Sequence, residues 1–202
     1  MIILRPLAAL ACLLTLSRPG SLSAGLTVLK APAGCVSFGA GVTALPNGNF
    51  VVTDRAWGAT ETSPGRGAVF LYDGATLKVI STLTGGAPGD FIGYSVTVLT
   101  NGNFVITSPE WNGRRGAITW ADGAKGVQGE ISAANSLIGT MPAEWFEPIL
   151  VTALPDGNYV TQCSAWNEFR GAVTPGNGVS GTVGEISAAS RLSAWAAEES
   201  PR

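Results

Sequence analysis

The chain is 202 residues long, 46% apolar and 13% charged, with a formal net charge of −2. That length can bury a real core, and the balance of charge argues against a nucleic-acid or anionic-membrane partner. It has no histidine, which excludes Ser-His-Asp and Cys-His catalysis and removes the commonest zinc ligand.

Residues 1–23 read as a secretory signal peptide. Arg5 precedes a mostly apolar run from Leu7 to Leu16, too short for a bilayer span, which needs about 20 apolar residues. A cut after Ser23 places Ser21 and Ser23 at the −3 and −1 positions, where small residues are required. Cys12 lies within this run, but Ala9 stands where a lipoprotein signal would want leucine. The mature chain keeps Cys35 and Cys163. These sit in different units of the repeat described next, so no intrachain disulfide is expected, since bridged Cα atoms must approach within about 7 Å.

The mature region, 24–195, is a threefold repeat with units at about 35–88, 89–143 and 144–195, followed by a tail at 196–202. Leu45-Pro46-Asn47-Gly48-Asn49-Phe50 returns as Leu99-Thr100-Asn101-Gly102-Asn103-Phe104 and as Leu154-Pro155-Asp156-Gly157-Asn158-Tyr159. Trp57, Trp111 and Trp166 follow at the same spacing, and Gly67-Ala68-Val69, Gly116-Ala117-Ile118 and Gly171-Ala172-Val173 mark the next element. Glu130-Ile131-Ser132 returns as Glu185-Ile186-Ser187. Self-similarity at a period of about 55 residues is the signature of a repeat architecture.

Within each unit, Asn-Gly or Asp-Gly between apolar runs signals a hairpin, because both residues tolerate the positive φ of a type I′ turn. On that ground Gly102→Val is expected to harm folding more than Gly126→Val. A third strand is expected at Ala68–Tyr72, Ala117–Trp120 and Ala172–Thr174. A fourth is expected at Lys78–Leu83, Gly129–Ser132 and Gly184–Ser187. Phe50-Val51-Val52 and Phe104-Val105-Ile106 are apolar on both faces, so these strands need cover on both sides. Stacked four-stranded sheets provide that cover. The expected fold is therefore all-β: a β-propeller-like array of about three antiparallel four-stranded blades, an incomplete ring.

These motifs resemble the FG-GAP repeats of integrin-α-type β-propellers, and related repeats of unknown function in large bacterial surface proteins. Gly89-Asp90-Phe91-Ile92-Gly93-Tyr94-Ser95-Val96 is similar to the segment that opens such a blade, and Gly67–Gly74 is similar to the strand and turn that follow. Integrin-type blades often bind calcium between the first two strands. Here those loops hold at most one carboxylate, whereas calcium takes six to eight oxygens, so they read as plain turns and no metal or cofactor is expected.

Trp57, Trp111 and Trp166 are the candidate ligand-binding residues, as an aromatic platform for a glycan; packing between units is the competing role and the commoner one. Arg66, Arg115 and Arg170 each precede the repeated glycine. Recurrence assigns them loop-holding hydrogen bonds, or an ion pair with Glu130 or Glu185, rather than catalysis. Glu61, Asp90, Glu110, Glu144, Glu147 and Glu168 are the carboxylates available for glycoside hydrolysis, but no spacing pairs them.

The sequence thus points to a secreted or cell-surface module with a binding or structural, adhesion-like role, a protein or glycan ligand and no catalysis. The rival readings are a glycan-active enzyme on a propeller scaffold and a fragment without independent function. The third unit looks adapted as an end, with Thr161-Gln162 replacing Ile106-Thr107 and Pro175 replacing Trp120. The first unit keeps Phe50, Val51, Val52, Phe70, Leu71 and Tyr72, and so is expected to self-associate through a bare apolar face.

Overall fold

The computed structural model describes residues 28–140, 149–163 and 171–186. The signal peptide, Trp166, Arg170, Glu144, Glu147, Glu168 and the 196–202 tail lie outside the described residues.

The protein is all-β. Strands β1 (Gly41–Ala44), β2 (Phe50–Asp54), β3 (Ala68–Tyr72) and β4 (Val79–Thr84) belong to the first unit. The second holds β5 (Ser95–Val98), β6 (Phe104–Ser108), β7 (Ala117–Ala121), β8 (Gly129–Glu130) and β9 (Leu137–Ile138). The third holds β10 (Leu150–Ala153), β11 (Tyr159–Cys163), β12 (Ala172–Gly176) and β13 (Gly184–Glu185). The first three strands of every unit form an antiparallel meander, with Val42 opposite Val52, Val96 opposite Ile106 and Val151 opposite Thr161. The Asn-Gly and Asp-Gly hairpins stand where the sequence predicts them, but only Gly48, Gly102 and Gly157 have positive φ, not the residues before them, so the expected type I′ turn is corrected to one that needs the left-handed conformation at the glycine alone.

The fourth strand of the first unit, β4, also lies where expected and pairs with its own β3, but those of the later units do not. Gly129–Glu130 leaves its own unit and pairs in parallel with β4 of the first, with Leu83 opposite Gly129. Gly184–Glu185 does the same to β9 of the second unit, with Gly184 opposite Leu137. The sheet orders are therefore β1-β2-β3-β4-β8, β5-β6-β7-β9-β13 and, among the described residues, β10-β11-β12. The expectation of purely antiparallel four-stranded blades is corrected by this exchange: each later unit reaches back to cover the sheet edge of the unit before it. Unit two has the extra length to do so. Gly123 to Leu137 spans five residues more than the matching Gly74 to Leu83 of unit one, which reaches no preceding sheet among the described residues.

Strand periodicity explains the doubly apolar runs. Val51, Val69, Leu71 and Leu83 face the second sheet and meet Phe104, Ile106, Ala117 and Ala121 in one core. From the opposite face of that second sheet, Val105, Ile118 and Leu137 meet Tyr159 and Ile149 in another. Burying each such large side chain stabilises the fold by about 1.5–3 kcal/mol. None of the sheets is closed on itself.

The remaining face of the first sheet, built from Phe50, Val52, Phe70 and Tyr72, is not bare. Leu29, Cys35, Phe38, Trp57 and Leu77 pack over it. Phe38 stands edge-on to Phe70 at 6.0 Å, and Phe50 stacks on Tyr72 at 5.2 Å. The segment preceding β1 thus takes the place of a preceding sheet, which corrects the expectation of a naked N-terminal face. At the other end, Val160, Gln162, Val173 and Pro175 point away from the core and are at least partly exposed. Only Gln162 of these is polar, because strand alternation turns Thr161 inward, where it is buried; the expectation of a polar end face is corrected.

Candidate functional site

The stack has two edges where units meet through polar groups. On the turn edge, Asn47 and Asn49 both donate their side-chain amides to the carbonyl of Gly123 in the next unit, at 2.8 and 3.0 Å. One unit further on, Asn101 and Asn103 donate to Gly178 at 2.7 and 2.9 Å. The amide N–H groups of Gly123 and Gly178 are held by Asn103 and Asn158 of their own units. Trp120 Nε1 adds a third donor to the Gly178 carbonyl at 3.0 Å. The asparagines thus act twice: their backbones make the turn and their amides clamp the following unit. In the third unit the first asparagine is Asp156, which has no N–H to donate. It accepts from Asn158 instead, and these bonds, the backbone one foremost, hold its carboxyl below the usual range.

The opposite edge carries the long loops. Asp54 is fully buried at the end of β2. Its carboxylate accepts the backbone N–H groups of Val36 at 2.8 Å, Ser37 at 3.0 Å and Ala56 at 3.0 Å, and so pins the N-terminal segment over the first sheet. Asp90, also buried, accepts from Gly86 and Ala87 within its loop and from Asn112 in the next, each at 2.9 Å. Arg55 bridges the same joint. Its guanidinium pairs with Glu110 at 2.6 Å, donates to the Phe91 carbonyl at 3.4 Å and lies 5.1 Å over the Tyr94 ring. Backbone strain gathers here, with Phe91, Asn112 and Arg114 at φ 41°, 49° and 69°. Such residues cost of order 1–3 kcal/mol each and persist only where neighbours fix them.

The residues singled out by sequence fall as follows. Trp111 is buried in the core between the first two sheets. Trp57 packs beneath the N-terminal segment and donates its indole N–H to the Ala33 carbonyl at 3.0 Å. Both positions are those of packing residues. Arg66 donates to the Gly86 carbonyl at 3.2 Å, a loop-holding role, while Arg115 is exposed. Glu110 is engaged by Arg55 and Asp90 by backbone amides, so neither stands as half of a carboxylate pair. Glu61 is exposed on its loop. Cys35 and Cys163 are not joined by a disulfide. Burial, then the charge of Asp54 and a hydrogen bond to it, push the Cys35 thiol up to about 12. Among the described residues no cluster of carboxylates and cysteines could hold a metal ion, and no helix is long and apolar enough to cross a membrane.

A cavity of about 30 Å³ lies between the second and third sheets, bounded in part by Ile118, Leu137, Ile149, Thr161 and Thr174. It is room for about one water molecule, not for a small-molecule ligand.

Sequence reasoning missed Asp54, Arg55 and the paired asparagines. The signal for the last was present, since both asparagines of Asn-Gly-Asn recur although a turn needs only one of them.

A family model described as a repeat of unknown function (DUF5650) matches three times, over residues 44–94, 98–145 and 153–194. The chain belongs to the DUF5650 repeat family. The three matches agree in number with the three units of the stack, each beginning nine residues after the start given to its unit, and they agree with the second of the two resemblances, that to repeats of unknown function. No curated protein matches the chain. Every unit of this chain has the meander; the first two offer the turn clamp and the last two the strand that reaches back.

Proposed function

We propose that the chain is a secreted or cell-surface binding module without catalysis, in which the repeat stack is a rigid support and the loop edge at the joint of units one and two is the contact surface. The observation that carries this reading is the convergence on that edge of Arg55, Glu110 and Tyr94 with three left-handed non-glycine residues. Tyr94 is 38% exposed and its ring is held by the guanidinium. Aromatic and arginine side chains so presented are the usual anchors of protein and glycan contacts. Pre-ordering by the buried Asp90 carboxylate lowers the entropy lost on binding.

The sheets, on this reading, are consecutive blades of an open propeller-like arc. The apolar pairing of their faces supports it, as does the likeness of Gly89–Val96 to the opening of an integrin-type blade.

The test is binding of the purified chain to immobilised polysaccharides and extracellular proteins, in parallel with a screen for glycan degradation. Saturable binding that Tyr94→Ala and Arg55→Ala abolish, with melting temperature retained and no turnover, is the expected result. Turnover of any glycan, or binding untouched by both substitutions, would overturn the proposal.

A further inference from the structure

Four Asn-Gly pairs lie in the described residues: Asn47-Gly48, Asn101-Gly102, Asn112-Gly113 and Asn177-Gly178. An asparagine followed by glycine is chemically prone to cyclise, because the glycine nitrogen carries no bulky neighbour to hinder attack on the side-chain amide. Three of these four amides are tied down. Asn47 accepts from Asn49 N–H at 3.0 Å while donating to Gly123. Asn101 accepts from Asn103 N–H at 3.1 Å while donating to Gly178 and to Gly157. Asn177 accepts from the N–H groups of Val179 and Ser180 at 2.8 and 3.0 Å, and the nitrogen of Gly178 is itself held by Asn158. To react, each of these must first break two or more hydrogen bonds.

Asn112 differs in each respect. Its side chain is exposed and makes no hydrogen bond among the described residues. It and its two successors, Gly113 and Arg114, all have positive φ. A side-chain carbon placed on Gly113 would meet nothing within 4 Å, so the surroundings leave the loop room to rearrange.

We propose that Asn112-Gly113 is a site of spontaneous covalent modification, at which the protein gains one negative charge. The Gly113 backbone nitrogen loses its proton to solvent and attacks Cγ of Asn112. The bond from Cγ to the side-chain nitrogen breaks, and that nitrogen leaves as ammonia with a proton from solvent. Water then opens the succinimide at either carbonyl, giving aspartate or isoaspartate at position 112. Electrons and atoms balance with water as the only co-reactant.

The new carboxylate arises next to a buried one. The Asn112 N–H is a donor to Asp90 Oδ1 at 2.9 Å, and Glu110 lies two residues away. An added like charge opposes both groups, and isoaspartate also lengthens the backbone by one carbon, displacing the N–H that Asp90 accepts. Modification therefore loosens the joint between the first two units while leaving the asparagine clamps of the turn edge intact.

The experiment ages the purified chain in mildly alkaline buffer, folded and in strong denaturant, and follows the four Asn-Gly peptides by peptide mapping and mass spectrometry. In the folded chain the Asn112 peptide is expected to convert about thirtyfold faster than the other three, the factor that corresponds to breaking two ordinary hydrogen bonds before reaction. In denaturant the four rates are expected to converge. Equal rates in the folded chain, or a lead by Asn47, Asn101 or Asn177, would overturn the proposal. Asn112→Gln should melt with the parent protein and show no conversion at that peptide, whereas Asn112→Asp should melt lower. An Asn112→Asp protein as stable as Asn112→Gln would remove the claimed effect on the joint.

Discussion

Asn101 donates its side-chain amide to the carbonyl of Gly178, 77 residues further along the chain, at 2.7 Å. Asn47 stands in the same relation to Gly123. The unit-to-unit joint is thus encoded by the first asparagine of each turn, and Asp156 marks the unit at which the clamp is not offered onward.

Asn101→Asp should therefore weaken the joint of units two and three. The carboxylate keeps the turn, because it can still accept the Asn103 N–H, but it loses the donors to Gly178 and Gly157. It also brings an acceptor against carbonyl oxygens. The Gly178 carbonyl keeps Asn103 and Trp120 as donors, so a loss of about 0.5–1.5 kcal/mol is expected from the hydrogen bonds given up, measured by denaturant unfolding. Asp156→Asn, whose side chain meets no carbonyl of another unit among the described residues, should change stability by less than about 0.5 kcal/mol. Equal effects from the two would dissociate the asparagine from the joint.

The two glycines compared in the sequence analysis exchange rank in the structure. Gly102 and Gly126 both have positive φ, 87° and 69°. A Cβ on Gly102 would meet nothing within 4 Å, whereas one on Gly126 would overlap Ser81 Oγ and crowd Leu71. Gly102→Val then carries backbone strain of about 1–2 kcal/mol, while Gly126→Val adds overpacking of about 1–3 kcal/mol. The expected order of stability is parent, Gly102→Val, Gly126→Val, read from urea midpoints. Periodicity reported the turn at Gly102 correctly, but nothing local in the sequence shows that the first sheet closes against Gly126.

The same limit explains most of what the sequence did and did not reveal. Hairpins are local, so Asn47-Gly48 and its copies were legible, as was the sandwiching of Phe50-Val51-Val52. Glu130-Ile131 and Glu185-Ile186 are short β-prone runs that could extend either of two sheet edges, and only the tertiary arrangement picks the preceding unit. Asp54 carried no local signal of its role. Its partners, Val36 and Ser37, are backbone amides without a sequence signature.

Asp54 should be the most sensitive polar position in the first unit. Asp54→Ala leaves the N–H groups of Val36, Ser37 and Ala56 without their acceptor, a loss of about 3 kcal/mol or more for groups bonded to a charge. The segment that covers Phe50, Val52, Phe70 and Tyr72 should then detach. Light scattering is expected to find association in this variant, together with binding of a dye specific for exposed apolar surface. A monomeric, dye-negative variant would show that the aromatic contacts alone keep the cover in place.

Thr161 stands where the second unit has Ile106 and borders the cavity between sheets two and three. Thr161→Ile fills part of that space with a side chain the neighbouring joint already accommodates. At roughly 24 cal/mol per Å³ of residual cavity, filling it is worth at most about 0.7 kcal/mol. The hydroxyl's 3.3 Å contact with the Thr174 carbonyl is lost in exchange. A small rise in melting temperature is expected, and a fall would show that the site is overpacked by the longer side chain.

Cys35 and Tyr72 give the fold an alkaline limit. Burial raises both, the thiol from 9.0 and the phenol from 10.0, each to about 12, with the charge of Asp54 adding to the rise at Cys35 and that of Cys35 to the rise at Tyr72. The folded state thus favours the protonated forms. Their contribution to stability is complete below the unfolded-state values and is lost as pH climbs from about 9 towards 12, where an unfolded chain releases these protons first. Two consequences follow. Cys35 should resist alkylation at neutral pH in the folded protein, because little thiolate is present. The alkaline midpoint of unfolding should move upward in Cys35→Ser, whose hydroxyl does not titrate in this range, and upward again when Tyr72→Phe is added. The Tyr72 hydroxyl is buried without a hydrogen-bond partner, so its removal leaves no donor or acceptor stranded. Unfolding midpoints measured across this pH range decide the matter: a double variant with the parent's alkaline midpoint would show that neither group limits the fold.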